Sequence, residues 1–332
     1  PIPGLADLWG KGAYPLKNLE HGRNLKRALA KKPRSAVIIG GGYIGLEVTE
    51  GLHQQGLDIT IVEAAPHILP FLPESLRERA IAEAKAQGVT FHIGVRANRI
   101  EKATSEKFVL QTDVGELRTD LVIVATGVQP NSELAANANL KLAVAKSIAV
   151  DEFLFTSNPD ILAAGDCADA IHGITGQSTW IPLALRANRA GKLAGANALG
   201  KKNRIPPVMG TAVFKFFNLQ IARTGLSETE AALAGFETTS ALIQSSTRAH
   251  YYPGGGKLLV WLLADKKTRK LLGGAMVGPE GAAHRIDTIV AALHAGLTVE
   301  QLYNMDLAYA PPFGPSWSPL LTCASQLAKT FP

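Results

Sequence analysis

The sequence predicts an α/β protein, and three observations predict that fold class. A strand–helix–strand unit with apolar, β-branched strands lies close to residue 40. A helix rich in small residues follows near residue 190. Strand-like segments separated by turns, and then helices, occupy the chain from about residue 205. At 332 residues the chain is long enough for two or three domains.

The strand–helix–strand unit carries the strongest signal. Its first strand contains the apolar run at residues 36–39, and three glycines spaced as G-x-G-x-x-G follow: Gly40, Gly42 and Gly45. Apolar residues then recur every four positions, as on one helix face: Ile44, Val48 and Leu52. The second strand, residues 58–63, ends in Glu63. Glycines alone also make ordinary turns, but the whole unit predicts a Rossmann-like dinucleotide site.

The chemistry of such a site explains these residue types. Gly40 permits the tight turn, Gly42 lets the backbone approach a pyrophosphate, and Gly45 lets the helix pack closely. The pyrophosphate is expected on the free N–H groups at the helix start. Glu63 is expected to bind the ribose hydroxyls and to repel a 2′-phosphate, and residues 64–66 contain no arginine. NAD(H) is therefore favoured over NADP(H).

Composition argues against several other classes of protein. The formal charge is +6, but the basic runs at residues 31–34, 201–204 and 266–270 are typical of solvated turns, not of a nucleic-acid surface. The two cysteines, Cys167 and Cys323, fit neither a zinc site nor a disulfide framework, so we expect no metal and a cytoplasmic location. No run of 18 apolar residues predicts a membrane span.

Local patterns predict the remaining elements. In the first part they are a helix from about Asn18 to Lys31, a helix near Glu74 to Gln87, and strands at residues 89–93, 108–112 and 121–125. Residues 160–166 read as a small strand, and Pro182 is expected near the first position of a helix. The last part is predicted to hold strands at residues 211–217, 238–244, 257–264 and 271–277, then helices at residues 286–293 and 298–302.

Five segments together resemble the pyridine nucleotide–disulfide oxidoreductase superfamily, in its NADH oxidase, NADH peroxidase and coenzyme A-disulfide reductase branch. They are residues 40–47, 125–127, 156–166, 182–184 together with 188–189, and 306–313. The resemblance implies FAD and NAD(H) as cofactors and a homodimer. It divides the chain into a connector and helix (1–32), an NAD-binding domain (33–127), the C-terminal part of an FAD-binding domain (128–204) and an α+β dimerisation domain (205–332).

The same resemblance implies roles for residues that would bind the cofactors. Asp166, after Gly165, would bind the flavin ribityl chain, although it could instead cap a turn. The helix start at Pro182-Leu183-Ala184 would face the flavin pyrimidine ring. Tyr43, beside Ile44, would cover the flavin face until nicotinamide displaces it, and Glu47 would contact the nicotinamide end. Gly127 belongs to a further matching segment.

Two tyrosines resemble residues that reach the partner subunit's active site. Tyr309 and Tyr251 would act there as catalytic residues, and interface packing is the alternative for both. The family's first glycine motif and its redox cysteine are absent from this sequence. We therefore expect a C-terminal fragment of a longer flavoenzyme, preceded by roughly 100 residues that form one nucleotide-binding unit.

The expected function is that of an FAD-dependent NADH oxidoreductase. Trp317 occupies the place of a substrate-binding lysine in coenzyme A-disulfide reductases, and an indole lacks that positive charge. The acceptor is thus open among a thiol-derived disulfide, a persulfide, peroxide or oxygen. The alternative is a catalytically inactive NAD-binding and dimerisation module.

Overall fold

The computed structural model describes residue 2, residues 4–103 and residues 107–331. Pro1 and Pro3, which belong to the predicted connector, lie outside the described residues. The chain divides into two compact units. The first comprises residues 1–127 and 214–221, and the second comprises residues 128–213 and 222–332.

The elements up to residue 127 alternate between helices and strands. In chain order they are β1 (Ala13–Pro15), α1 (Leu19–Leu29), β2 (Ser35–Ile39), α2 (Tyr43–His53), β3 (Asp58–Glu63), α3 (Glu74–Ala86), β4 (Thr90–Ile93), β5 (Ala97–Lys102), β6 (Phe108–Thr112), β7 (Gly115–Thr119) and β8 (Leu121–Val124). Asn18 caps α1, because its side-chain oxygen accepts the N–H of His21 at 2.9 Å.

A parallel sheet is the framework of the first unit. Among the described residues its strands lie in the order β1-β8-β2-β3-β4, and all four pairs of neighbouring strands are parallel. The central strands are apolar on both faces: β2 and β8 bury Val37, Ile38, Val122 and Ile123. This is the pattern of a parallel sheet covered on both sides. The strands β5, β6 and β7 form a separate antiparallel sheet.

The elements after residue 127 end in a largely antiparallel region. They are α4 (Glu133–Asn137), β9 (Ala170–Ile171), β10 (Ser178–Thr179), α5 (Ala184–Ala198), β11 (Ala212–Phe216), β12 (Leu219–Gly225), α6 (Glu228–Leu233), β13 (Thr238–Ser246), β14 (Lys257–Asp265), β15 (Leu271–Gly278), α7 (Ala282–His294), α8 (Val299–Tyr303) and α9 (Pro319–Ala328).

The second unit has its main core on the antiparallel strands β13, β14 and β15. The central strand β14 pairs with β13 on one side and with β15 on the other. Helices α7, α8 and α9 bury their apolar faces in the same core, which includes Ile286, Ile289, Leu302 and Leu327. A smaller core formed by Ala135, Ile148, Ala163 and Ala168 lies in the segment before α5.

These sheets confirm the predicted fold class, and two local predictions are wrong. Residues 160–166 form no strand; their only pairing in the described chain is the single bridge between Phe155 and Leu162. Pro182 does not begin the helix, because α5 starts at Ala184 and its N-cap, Leu183, is extended at φ −123°. Residues 178–179, at the predicted helix start, instead form β10.

Several elements were not predicted from the sequence. Strands β5 and β7 are rich in charged residues and have mostly exposed side chains, so they lack the apolar pattern of a buried strand. Strand β12 and helix α9 were also missed. The start of helix α9 does have a capping signal in the sequence, however. Ser318 accepts the N–H of Leu320, and Pro319 occupies the first turn.

Gly45 is expected to be essential for the packing of α2. A Cβ added at Gly45 would lie 2.0 Å from the carbonyl oxygen of Gly40, whereas one at Gly51 in the same helix meets no atom within 4 Å. We expect Gly45→Ala to lower the free energy of unfolding by about 1–3 kcal/mol. Gly51→Ala should raise it by roughly 0.5–1 kcal/mol, because alanine is the better helix former. Denaturant unfolding of both variants tests this, and equal stabilities would contradict the packing argument.

Candidate functional site

The glycine turn after β2 is built by close backbone contacts. Gly40 has φ +111°, and a Cβ there would lie 2.3 Å from the carbonyl oxygen of Ala125. A Cβ at Gly45 would likewise lie 2.0 Å from the carbonyl oxygen of Gly40. Gly42, the N-cap of α2, has open space where its Cβ would be and no side-chain cap. The turn therefore combines two glycines that packing requires with one that leaves the helix start open to a ligand.

Glu63 joins the end of β3 to this turn. Its Oε2 accepts the N–H of Gly41 at 2.7 Å, and its Oε1 accepts the N–H of Ala65 at 2.7 Å. A Cβ at Gly41 would lie 2.4 Å from Cγ2 of Ile68, so this position is also closely packed. Both carboxylate oxygens are thereby fixed in direction beside the start of α2. Each carboxylate oxygen has a second lone pair that can accept a hydroxyl.

The first turns of α2 carry Tyr43, Ile44 and Glu47. The Tyr43 ring stacks on Phe71 with centroids 4.9 Å apart and meets the edge of Phe214 at 5.1 Å, so it is held in an aromatic cluster. Ile44 is half-buried. Glu47 is exposed overall, yet partial burial of its carboxyl raises the pKa above the ordinary value.

Gly127 lines a cavity of about 720 Å³ in the first unit. Trp9, Tyr14, Lys17 and His21 contribute to the same cavity. Burial raises the pKa of the Tyr14 phenol above its ordinary value. The cavity is larger than packing defects of a domain core, and it presents both aromatic and basic groups.

In the second unit, Gly165 and Asp166 form a tight turn. Gly165 has φ +86°, a conformation that favours glycine. The indole N–H of Trp180 donates to the carbonyl oxygen of Asp166 at 2.8 Å and ties this turn to the segment before α5. The Asp166 side chain is exposed.

The start of α5 is rich in hydrogen-bond donors without acceptors. No side chain caps this helix at Leu183. Arg186, in its first turn, is buried; its Nη2 donates to the carbonyl oxygen of Asp169 at 2.6 Å. Its Nη1 has no hydrogen-bond partner among the described residues. A helix N-terminus with a buried cation fits an electron-rich group, as the pyrimidine edge of a flavin is.

The structure brings Tyr251 and Tyr309 together, although they are 58 positions apart in sequence. Their hydroxyl oxygens lie 3.1 Å apart, and both residues are exposed. The hydrogen bond with Tyr251 is the main reason that the pKa of Tyr309 is raised above its ordinary value. Trp317 is also exposed and stacks on Tyr303, with ring centroids 5.9 Å apart.

Neither cysteine has the surroundings of a reactive thiol. Burial raises the pKa of the Cys323 thiol to about 12, so it is not a thiolate at neutral pH. The Cys167 thiol is half-buried and donates to the carbonyl oxygen of Ala164 at 3.3 Å.

Within the described residues, no group of three His, Cys, Asp or Glu side chains could hold a metal ion. No helix in the same residues is long and apolar enough to cross a membrane.

A parallel sheet with a glycine turn and an acid at the end of the next strand is the arrangement of dinucleotide-binding α/β proteins. The chain belongs to the pyridine nucleotide-disulphide oxidoreductase family, whose sequence model matches residues 1–191. The dimerisation domain of that family matches residues 211–319. Membership supports the use of FAD and NAD(P)H.

The relatives carry the names of oxidoreductases. An NAD(P)H coenzyme A polysulfide/persulfide reductase of Pyrococcus horikoshii is 40% identical over 299 residues, which are 89% of this chain and 66% of the relative. An NADH oxidase of Methanocaldococcus jannaschii is 35% identical over 96% of this chain and 71% of its own length. The structure of a NAD-dependent persulfide reductase from A. fulgidus matches 99% of this chain and 61% of that chain, with a TM-score of 0.94 and 33% identity.

The chain thus spans slightly less than two thirds of the length of the P. horikoshii reductase and of two further Pyrococcus relatives. Three features of the site were not found from the sequence: the Tyr43–Phe71 stack, the buried Arg186 and the Glu63–Gly41 hydrogen bond. No local pattern marks the first two. The third could have been inferred from the acid at the end of β3.

The hydrogen bond between the two tyrosines has a measurable consequence. We expect Tyr251→Phe to lower the pKa of Tyr309, because the substitution removes the main cause of its raised value. Tyr252→Phe is the matched control, since Tyr252 is the neighbouring phenol and its ring lies 5.9 Å from the Arg248 guanidinium. Carbon-13 labelling of tyrosine Cζ and titration by NMR measure both. A Tyr309 titration that is the same in Tyr251→Phe and in the unaltered chain would disprove the coupling.

Proposed function

We propose that this chain is the NADH-binding, partly flavin-binding and dimer-forming portion of an FAD-dependent NADH oxidoreductase. The observation that carries the proposal is the open start of α2 beside Glu63, whose carboxylate is fixed by Gly41 and Ala65. FAD, when bound, would accept a hydride from NADH and pass the electrons to a disulfide, persulfide, peroxide or oxygen acceptor. Family membership and the names of the relatives support this reading.

The first unit supplies the binding of NADH in this proposal. The backbone at Gly42 and the first N–H groups of α2 receive the pyrophosphate, because no side chain caps them. The oriented oxygens of Glu63 accept the ribose hydroxyls, and a 2′-phosphate in that place would meet a negative charge. The preference for NADH over NADPH rests on this charge. Tyr43 would cover the flavin face until nicotinamide displaces it, and Glu47 would contact the nicotinamide end of the cofactor.

The second unit supplies part of the flavin site. Asp166 would hold the ribityl chain, since its carboxylate is exposed at a turn that Trp180 fixes. The uncapped start of α5, with Leu183 and Ala184, would stabilise negative charge on the pyrimidine ring. Gly165 and Pro182 shape the backbone on either side of this place.

Sulfur compounds are the acceptors that the comparisons favour. Relatives at 40% and 33% identity are named as persulfide reductases, and others are named as coenzyme A disulfide reductases. Tyr251 and Tyr309 would face that acceptor as proton donors, because both phenols are exposed and hydrogen-bonded to each other. We propose that they do so across a homodimer in the cytoplasm, with the dimerisation domain at residues 205–332.

The second candidate is an NAD-binding and dimerisation module without redox turnover. This candidate rests on the glycine turn and Glu63, which lie within one compact unit of the chain. The domain division at residues 33–127, 128–204 and 205–332 applies to both candidates. They differ in one property, the ability to hold flavin.

Substitution of Glu63 can distinguish a role in ribose binding from a role in supporting the glycine turn. We expect Glu63→Ala to weaken NADH binding about tenfold or more, because hydrogen bonds to a carboxylate contribute roughly 1.5–3 kcal/mol. NADPH binding should be unchanged or stronger, since the repelling charge is gone. Quenching of protein fluorescence measures both, with exposed Glu74→Ala as the control acid. Weakening of both nucleotides by the same factor would mean that Glu63 only supports the turn.

An absorption spectrum of the purified chain separates the two candidate functions. The oxidoreductase proposal expects a flavin band that bleaches when NADH is added without oxygen. Asp166→Ala should lose the band, while Asp160→Ala, an exposed acid on the same segment, should keep it. A colourless chain that still binds NADH would favour the module without turnover. Retention of full flavin content in Asp166→Ala would remove the ribityl assignment.

A further inference from the structure

The two tyrosines of the proposed acceptor site lie on separate loops of the second unit. The Tyr251 loop comprises residues 247–256, and the Tyr309 loop comprises residues 306–314. The base of the Tyr251 loop is closed, since Thr247 N–H donates to Gly256 O and Gly256 N–H donates to Thr247 Oγ1, both at 2.9 Å. One backbone bond joins the loops directly, from Ala249 N–H to the Pro311 oxygen at 3.0 Å.

The guanidinium of Arg285, on α7, donates hydrogen bonds to the backbone of both loops. Its Nη2 donates to the carbonyl oxygen of Thr247 at 3.1 Å and also to the carbonyl oxygen of Phe313. One nitrogen therefore links the base of the Tyr251 loop to the end of the Tyr309 loop. Arg285 is half-buried, and the partial loss of hydration lowers the pKa of its guanidinium. The two carbonyls are the acceptors that compensate that loss of hydration.

The neighbouring glycines leave room for this guanidinium. Gly281, the N-cap of α7, has φ +74°, and a Cβ there would lie 2.0 Å from Arg285 Nη1. A Cβ at Gly314, at the end of the Tyr309 loop, would lie 3.7 Å from Nη2. The position of Arg285 thus depends on a residue without a side chain at the start of its own helix.

We propose that Arg285 is a positioning residue, which holds the Tyr251 and Tyr309 loops so that the two phenol oxygens remain within hydrogen-bond distance. The inference rests on the proposed function, because that function uses the pair as proton donors. Arg285 itself touches neither hydroxyl. Its effect passes through the backbone of Thr247 and Phe313, four residues from each tyrosine.

The geometry has a chemical consequence for the pair. In a single hydrogen bond between two phenols one O–H donates, so the other hydroxyl keeps its proton available for an acceptor. If the loops separate, both hydroxyls are solvated by water and the pair loses this arrangement. Arg248 of the Tyr251 loop forms an ion pair with Glu280 at 2.6 Å.

The test uses two independent ways of displacing the guanidinium. Arg285→Met removes it, and Gly281→Ala pushes it away while leaving the arginine in place. Each has a matched control in the second unit. Arg269→Met removes an arginine that pairs with Glu300 at 2.8 Å, and Gly235→Ala imposes the same kind of backbone strain at φ +85° without meeting any atom within 4 Å.

The readout is the Tyr309 titration by carbon-13 NMR in the whole chain, with thermal unfolding to show that each variant is folded. We expect Arg285→Met and Gly281→Ala to shift the pKa of Tyr309 downward, as in Tyr251→Phe, and both controls to leave it unchanged. Adding Tyr251→Phe to Arg285→Met should cause no further shift, because the hydrogen bond is already lost.

The proposal is overturned if a folded Arg285→Met or Gly281→Ala variant keeps the Tyr309 titration of the unaltered chain. It is also overturned if both control variants shift the titration by the same amount. The measurement needs neither NADH, FAD nor an acceptor. A chain without flavin would therefore defeat the proposed function while leaving this result intact.

Discussion

The close approach of helix α2 to the carboxyl ends of β2 and β8 is the constraint on which the nucleotide site depends. Two carbonyl oxygens occupy the places where side chains would begin: that of Ala125 at Gly40 and that of Gly40 at Gly45. Only glycine fits both positions. Because the helix lies this close, its first N–H groups come to the edge of the parallel sheet, where ligands of such sheets bind.

The same constraint explains why Glu63 can act as more than a surface acid. It ends β3, the strand next to β2, and its carboxylate reaches the N–H of Gly41 in the turn. A negative charge at this place is stabilised by the N-terminal end of the helix dipole. The turn therefore supplies donors for a pyrophosphate and also orients an acceptor for hydroxyls. These opposite requirements are met within one strand–helix–strand unit because the sheet fixes the spacing of its strands.

Local signals predicted this unit, since every part of it lies within about 30 residues and each residue type has a specific steric role. The start of α5 was misplaced because Pro182 can precede a helix as well as begin one, and only the extended backbone of Leu183 decides between them. The contact of Tyr251 with Tyr309 could not be derived from spacing. Arg285 gave no signal, because a single arginine on an amphipathic helix is usually a solvated side chain.

The surface formed by Trp317 and Tyr303 differs from the nucleotide site in the groups that it presents to a ligand. Trp317 is 59% exposed, and its indole lies nearly parallel to Tyr303, with an interplanar angle of 6°. The stack fixes a flat apolar face, and an indole cannot present the mobile positive charge of a lysine. Arg248 of the Tyr251 loop has its guanidinium engaged by Glu280 and by the Pro253 oxygen. Under the proposed function, an acceptor would be chosen by hydrogen bonds to the phenols of Tyr251 and Tyr309, and the flat face of Trp317 would contribute no charge to that choice.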